Sequence, residues 1–215
     1  MSSMIVQAFT KFPAEAAIIG RLLAGYGELE FALALCVDRA TRKFDPNAVP
    51  YKADARHLGI KALYRLRSES SRLEVADALM RADYVEMGLE DDYAEALGGI
   101  RLCLKIRNQY AHCHWADFRY RDGYGLFFTA LEDAAETSGS FPFLWNWRGV
   151  SLDLLTDQEA YFSYALQMLK FIWGEFRVRK GMARAHDQPR PSKIPQPRRY
   201  IPPEELEPPD PDSSP

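Results

Sequence analysis

Apolar residues recur at helical spacing through most of the chain. From Ala14 to about Arg42 one stripe runs Leu22, Tyr26, Leu29, Leu33, Cys36. A second, Ile19, Leu23, Phe31, Ala34 and Leu35, widens the apolar surface, so the spacing predicts a long helix covered on more than one side. Thr10 and Pro13 mark its start, because proline in a first turn forfeits no hydrogen bond. The proline-broken loop KFDPNAVPYKA follows. Asp54 then caps a predicted second helix to about Ser68. A third is expected over about Ser71 to Glu86, ended by Gly88, and a fourth from about Glu90 to His112. Gly98-Gly99 inside the fourth costs roughly 1 kcal/mol per glycine relative to alanine. The pair implies either close approach by another helix, for instance from a second subunit, or a local kink.

The period then changes. HWADFRYRDGYGLFFTAL places aromatic-rich flanks around Asp122-Gly123, a hairpin signal, and LWNWRGVSL can add a third strand. Thr156 to Glu159 reads as a capping box before a final helix to about Arg179, striped by Phe162, Leu166, Leu169, Trp173 and Phe176. The expectation is a mostly α fold: an antiparallel helical bundle over 1–180, with a small β insertion at about 114–151 before the last helix.

Composition changes after about Lys180. Ten of the 14 prolines lie in 184–215 and apolar residues are scarce, which predicts a disordered tail over 181–215. Residues 177–199 hold eight Lys/Arg and one Asp, whereas 200–215 hold five acids and no base. The basic run, including Arg177, Arg179, Lys180 and Arg184, is either a solvated segment or an arm that touches RNA phosphates. The whole chain has 215 residues, is 47% hydrophobic and carries a net charge of −3, which disfavours a protein that coats nucleic acid uniformly. Three cysteines and no signal peptide or long apolar span point to a reducing, cytoplasmic setting without membrane insertion.

The chemistry-bearing stretch is KIRNQYAHCHW, 105–115. Arg107 and His112 stand about 140° apart on an ideal helix, while Asn108 and His112 share a face. His112 also falls at a helix C-terminus, where a cation gains roughly 0.3–1 kcal/mol for purely structural reasons. Glu30 sits among apolar neighbours in the first helix. It needs a partner, for which Arg107 is a candidate, unless it faces solvent. Cys103, His112, Cys113 and His114 lack paired zinc-ligand spacing, and nothing orients a Cys-His nucleophile. No phosphate-binding or dinucleotide glycine motif is present, so no metal or cofactor is expected. Trp115, Phe118, Trp145 and Trp147 can stack bases or simply pack a hairpin.

Arg107, Asn108, Ala111 and His112 match an R-N-x-x-A-H signature, and Gly27, Leu29 and Glu30 match a G-x-L-E stretch. Together they make the chain resemble the HEPN superfamily of small helical proteins common in prokaryotic toxin and defence systems. The resemblance spans about 14–180. It implies a homodimeric, metal-independent endoribonuclease whose motif helices meet at a shared cleft, acting as a toxin or antiviral effector, with an antitoxin or defence-system partner. Arg107, Asn108 and His112 would be catalytic and Glu30 supporting. The alternative it allows is a catalytically silent module that binds nucleotide, RNA or a protein. Some toxin members carry a modified Tyr two residues after the motif His. Here His114 occupies that position, as an aid to acid/base chemistry or as polar surface.

Overall fold

The computed structural model describes residues 6–41, 58–120, 123–136, 146–202 and 205. A 3-10 turn, Gln7–Thr10, precedes α1 (Pro13–Ala40). Then come α2 (Leu58–Leu63), α3 (Glu69–Glu86), α4 (Glu90–Ala111), β1 (Cys113–Tyr120), β2 (Gly123–Ala130), α5 (Leu131–Glu136), β3 (Arg148–Val150) and α6 (Leu152–Arg179). The protein is thus mostly helical, with one three-stranded antiparallel sheet in the order β1-β2-β3. The expected loop 43–53, the Asp54 cap, the Asp122 turn position and Trp145 lie outside the described residues. Among those described, no helix is long and apolar enough to cross a membrane.

The chain forms two units. One takes Met1–Ala24, Lys105–Tyr161 and Pro195–Pro215; the other takes Gly25–Leu104 and Phe162–Ile194. Helices α1, α4 and α6 each contribute to both.

In the first unit β1 and β2 pair from Cys113↔Ala130 to Tyr120↔Gly123, the register of a two-residue connection. Leu126, Phe127, Phe128 and Thr129 are all buried, so β2 is covered on both faces. On the Phe127 face Phe118 lies 5.5 Å away ring to ring, and on the Phe128 face the cover is an aromatic cluster. Tyr110, Trp115 and Phe128 lie 5.4–5.6 Å apart ring to ring, Phe9 adds to Trp115 at 5.2 Å, and Tyr200 meets Phe128 at 6.4 Å. The start of α6 corrects the expected capping box. Ser151 is the cap, its hydroxyl accepting from the Leu154 N–H at 3.2 Å. Thr156 lies inside the helix and bonds back to the Leu152 carbonyl, and Glu159 pairs with Arg21 of α1 instead.

In the second unit the predicted stripes close on one another. Leu29, Leu33 and Cys36 of α1, Met80 and Tyr84 of α3, Tyr93 and Leu97 of α4 and Phe176 of α6 are each at most 3% exposed. Tyr84 stacks on Phe176 at 4.6 Å. Ser68 caps α3, its side chain accepting from Ser71. Gly88 ends the α3–α4 turn at φ 68°, a left-handed conformation that other residues resist. Arg179 reinforces this turn by donating to the Met87 and Gly88 carbonyls at 2.9 and 2.8 Å.

The largest departure from expectation is the segment after α6. Residues 181–202 are an ordered, extended strap. Gly181 (φ 72°) breaks the helix, and Met182 N–H returns to the Arg177 carbonyl at 2.8 Å. In the second unit His186 bonds Glu175 at 2.9 Å, and Arg190 pairs with Asp92 and Glu95 at 2.7 and 2.8 Å. In the first, Gln158 donates to the Arg198 and Arg199 carbonyls at 2.8 and 3.0 Å. Ile201 exchanges two backbone hydrogen bonds with Gly149, extending the sheet beyond β3. A composition too polar to bury a core was read as unable to order. What orders it is polar: backbone carbonyls and cations meet glutamines and acids on the helices, and prolines reduce the entropy lost.

Removing residues 181–215 leaves the amide of Gln158, which is 0% exposed, without its strap partners. Truncation also opens this amide to water, so what is lost is the net worth of the two hydrogen bonds, about 0.5–1.5 kcal/mol each. At roughly 2–4 °C per kcal/mol for a chain of this size, truncation after Lys180 lowers the melting temperature by several degrees. An unchanged melting curve would restore the disordered-tail expectation.

The strap is also acid-sensitive. Hydrogen bonds from Tyr164, with Lys193 and Arg190 nearby, hold Glu95 below the usual carboxylate range, and His186 with Arg179 does the same for Glu175. Carboxylates depressed in the folded state stabilise it above their unfolded pKa, and that contribution is lost as pH falls through the depressed values. Hydrogen exchange in 182–194 should therefore accelerate, relative to the helices, below about pH 4, near the ordinary glutamate value.

Candidate active site

The last turn of α4 places the motif by simple helical geometry. With Arg107 at 0°, Ala111 falls at about 40°, Asn108 at about 100° and His112, one residue past the helix, near 140°. The two intervening residues, Gln109 and Tyr110, fall at about 200° and 300°. Burial follows these angles. Arg107 and Asn108 are half-buried, and Ala111 and His112 are exposed, whereas Gln109 and Tyr110 are 8% and 3% exposed. The four signature residues therefore occupy one outward sector, and the two unspecified ones form the inward face.

The inward face is held by polar and aromatic contacts. Tyr110 donates its hydroxyl to Gln158 Oε1 at 2.8 Å, and Gln109 Nε2 donates to the Arg199 carbonyl at 2.5 Å while Arg199 Nε returns to Gln109 Oε1 at 3.2 Å. Burial raises the Tyr110 hydroxyl pKa, so it stays a neutral donor. The end of the helix is pinned as well. His112 N–H continues the helical ladder to the Asn108 carbonyl at 3.2 Å, and the His112 carbonyl accepts from Leu131 N–H at 3.3 Å. On the outward face Arg107 Nη1 donates to Asn108 Oδ1 at 2.9 Å. His114 is exposed on β1, with its ring 6.1 Å from Trp147. Phe118 meets the same Trp147 edge-on at 4.8 Å, so this part of the aromatic set packs the hairpin.

The cysteines are poor nucleophiles. Burial pushes the Cys113 thiol up to about 12 and raises Cys103 as well, so neither is a thiolate near neutral pH. Among the described residues no group of three or more His, Cys, Asp or Glu side chains is arranged to hold a metal ion.

Glu30 has a different partner from the one considered. It is in the second unit and accepts from Arg72 Nη1 at 2.6 Å. Arg72 also reaches the Leu66 carbonyl at 3.0 Å and lies over the Tyr64 ring, so the pair ties α1 to the start of α3. Arg72 carries no motif signal; only an acid in an apolar stripe hinted that some cation must meet it. The basic residues at the end of α6 are likewise engaged within the second unit rather than lying on a free arm. Arg177 lies over the Trp173 ring at 4.7 Å, and Arg179 bonds the α3–α4 turn. Lys180 is 3.7 Å from Asp83, and Arg184 is exposed. Gln109 and Gln158, which hold the strap beneath the motif, were also missed: an isolated glutamine has no spacing signature.

No family model, curated protein or solved structure matches this chain.

The Glu30–Arg72 pair is partly shielded, with side chains 15% and 18% exposed. Glu30→Ala and Arg72→Ala are each expected to destabilise the fold, with a coupling of about 1–2 kcal/mol in a double-mutant cycle followed by urea unfolding. Additive losses would show that the two side chains act independently.

Proposed function

We propose that this chain is a metal-independent endoribonuclease of the HEPN type, acting as a toxin or defence effector. The observation that carries the proposal is the sorting of the last turn of α4. Arg107, Asn108 and His112 occupy the outward sector, while Gln109 and Tyr110 are drawn inward. A helix end that merely needed a terminal cation would require His112 alone.

The chemistry follows from these side chains. The ribose 2′-oxygen attacks the adjacent phosphorus, forming a 2′ O–P bond as the P–O5′ bond breaks. Neutral His112 takes the 2′-hydroxyl proton, or its imidazolium gives one to the departing 5′-oxygen. Arg107 remains cationic and meets the phosphoryl oxygens as negative charge builds on them. Asn108, already bonded to Arg107, orients its guanidinium. The products are a 2′,3′-cyclic phosphate and a 5′-hydroxyl. DNA lacks the nucleophile.

A second copy completes the site in this proposal. Arg107 and His112 diverge by about 140° on one helix, so two motif helices side by side bring an Arg and a His from opposite chains toward one phosphate.

Incubation of the purified chain with mixed RNA in EDTA, followed by end-group analysis, tests the proposal. Cleavage with cyclic-phosphate ends is expected, and His112→Ala and Arg107→Ala should each lower the rate by at least about 100-fold. His114→Ala should change it much less. Light scattering should give a dimer. Full activity in either of the first two variants would sink the assignment, and RNA binding without cleavage would favour the silent module.

A further inference from the structure

One backbone oxygen of the strap serves three donors in the first unit. The Arg199 carbonyl accepts from Gln109 Nε2 at 2.5 Å, from Gln158 Nε2 at 3.0 Å and, more distantly, from the Tyr110 hydroxyl at 3.4 Å. Gln158 Nε2 also donates to the Arg198 carbonyl at 2.8 Å, and Gln158 Oε1 accepts the closer bond from Tyr110 at 2.8 Å. Arg199 returns to Gln109 Oε1 through its Nε at 3.2 Å. A carbonyl oxygen has two lone pairs, so the two amides saturate this one. Gln109 and Tyr110 are consecutive residues of α4, about 100° apart around its axis. Holding both against one oxygen and one amide fixes the rotation of the helix about that axis. Its position along the axis is set separately, where the His112 carbonyl accepts from Leu131 N–H at 3.3 Å.

Rotation is what the proposed chemistry tolerates least. A helix with its side chains has a radius of about 5–6 Å, so a turn of about 20° carries a side-chain tip about 2 Å sideways. A misplacement of about 1 Å can cost a reaction about 100-fold. Arg107 and His112 ride on the same stretch of α4 as Gln109 and move with it. Gln109 and Gln158 are 8% and 0% exposed, so neither side chain can meet an RNA strand. Apolar side chains at both places would bury no amide and leave nothing to satisfy. The two amides are accounted for by what they hold.

We propose that Gln109 and Gln158 are positioning residues for RNA cleavage: by holding the Arg199 carbonyl they lock the rotation of α4, so that seating of the strap sets the alignment of Arg107 and His112 on the scissile phosphate. This rests on the RNA-cleavage reading of the site. Neither glutamine exchanges a proton or touches the substrate; both act through the helix.

The test compares the full-length chain with Gln109→Met and Gln158→Met, near-isosteric changes that each remove one amide, and with the double variant. All are assayed on RNA in EDTA well below their melting transitions, where circular dichroism shows them fully folded. Each single change is expected to lower kcat at least about tenfold and to leave KM within about twofold, because the groups that contact RNA remain. The double variant should lose much less than the product of the two single losses, since both amides act through one oxygen. Correlation spectra of the same proteins without RNA should show the His112 ring and Arg107 Nε–H resonances, assigned with His112→Ala and Arg107→Ala, displaced from their wild-type positions. A purely structural role would lower the melting temperature and leave kcat and these resonances unchanged in the folded variants. That result would overturn the proposal, and so would multiplicative losses in the double variant. Should Gln158→Met fail to fold, Gln109→Met carries the decision. A wild-type chain that does not cleave RNA would remove the reading on which the proposal rests. The resonances alone then decide the lock: displaced, it stands as a property of the fold; stationary, it falls as well.

Discussion

The side-chain amide of Gln158 has no contact with water, and its surroundings in the first unit are arranged to satisfy it. Its oxygen accepts from Tyr110 and its nitrogen donates to the carbonyls of Arg198 and Arg199. A buried amide with missing partners is more costly than an apolar residue of the same shape, so three chain segments are committed to one another. Tyr110 fixes the rotation of α4 about its own axis. Once Tyr110 and Gln109 face inward, helical geometry leaves Arg107, Asn108 and His112 facing outward. The strap is thus part of the support of the candidate site, and its backbone is more important to that support than its side chains.

The same principle organises the strap elsewhere. Asp92 and Glu95 on α4 receive Arg190, and Glu175 on α6 receives His186 where Gly174 makes room for the ring. These contacts are exposed or half-exposed, so individually they contribute little. Their number and the stiffness of proline keep the segment extended. Ile201 closes the arrangement by pairing with β3, which covers a short strand that would otherwise present open hydrogen-bonding groups.

Much of the helical framework was legible in advance. The stripes Leu22, Tyr26, Leu29, Leu33 and Cys36 on α1 and Leu169 and Phe176 on α6 are buried as their spacing implied. The three strands were legible because β-period aromatic runs flank turn residues. Gly88 ended α3 as expected, since only glycine readily adopts its positive φ. The capping box at Thr156 was misplaced because Ser151 five residues upstream provides an equally good cap with a longer helix behind it. The short α5 carries too few residues to show a period.

The sequence by itself determined the periodic elements, the cluster Arg107, Asn108 and His112 at one helix end, and the shortage of apolar residues after Lys180. These depend on neighbours a few positions apart, where helix and strand geometry is the same in every protein. Only the tertiary structure decided that Glu30 pairs with Arg72, that Gln109 and Gln158 bind a strap 90 and 40 residues away in the chain, and that Phe31 and Trp173 line an open slot. Polar pairing between distant segments leaves no period in the sequence. A glutamine or an arginine has the same letter whether it is solvated or buried, and its partner is chosen by the packing of the helices that carry it.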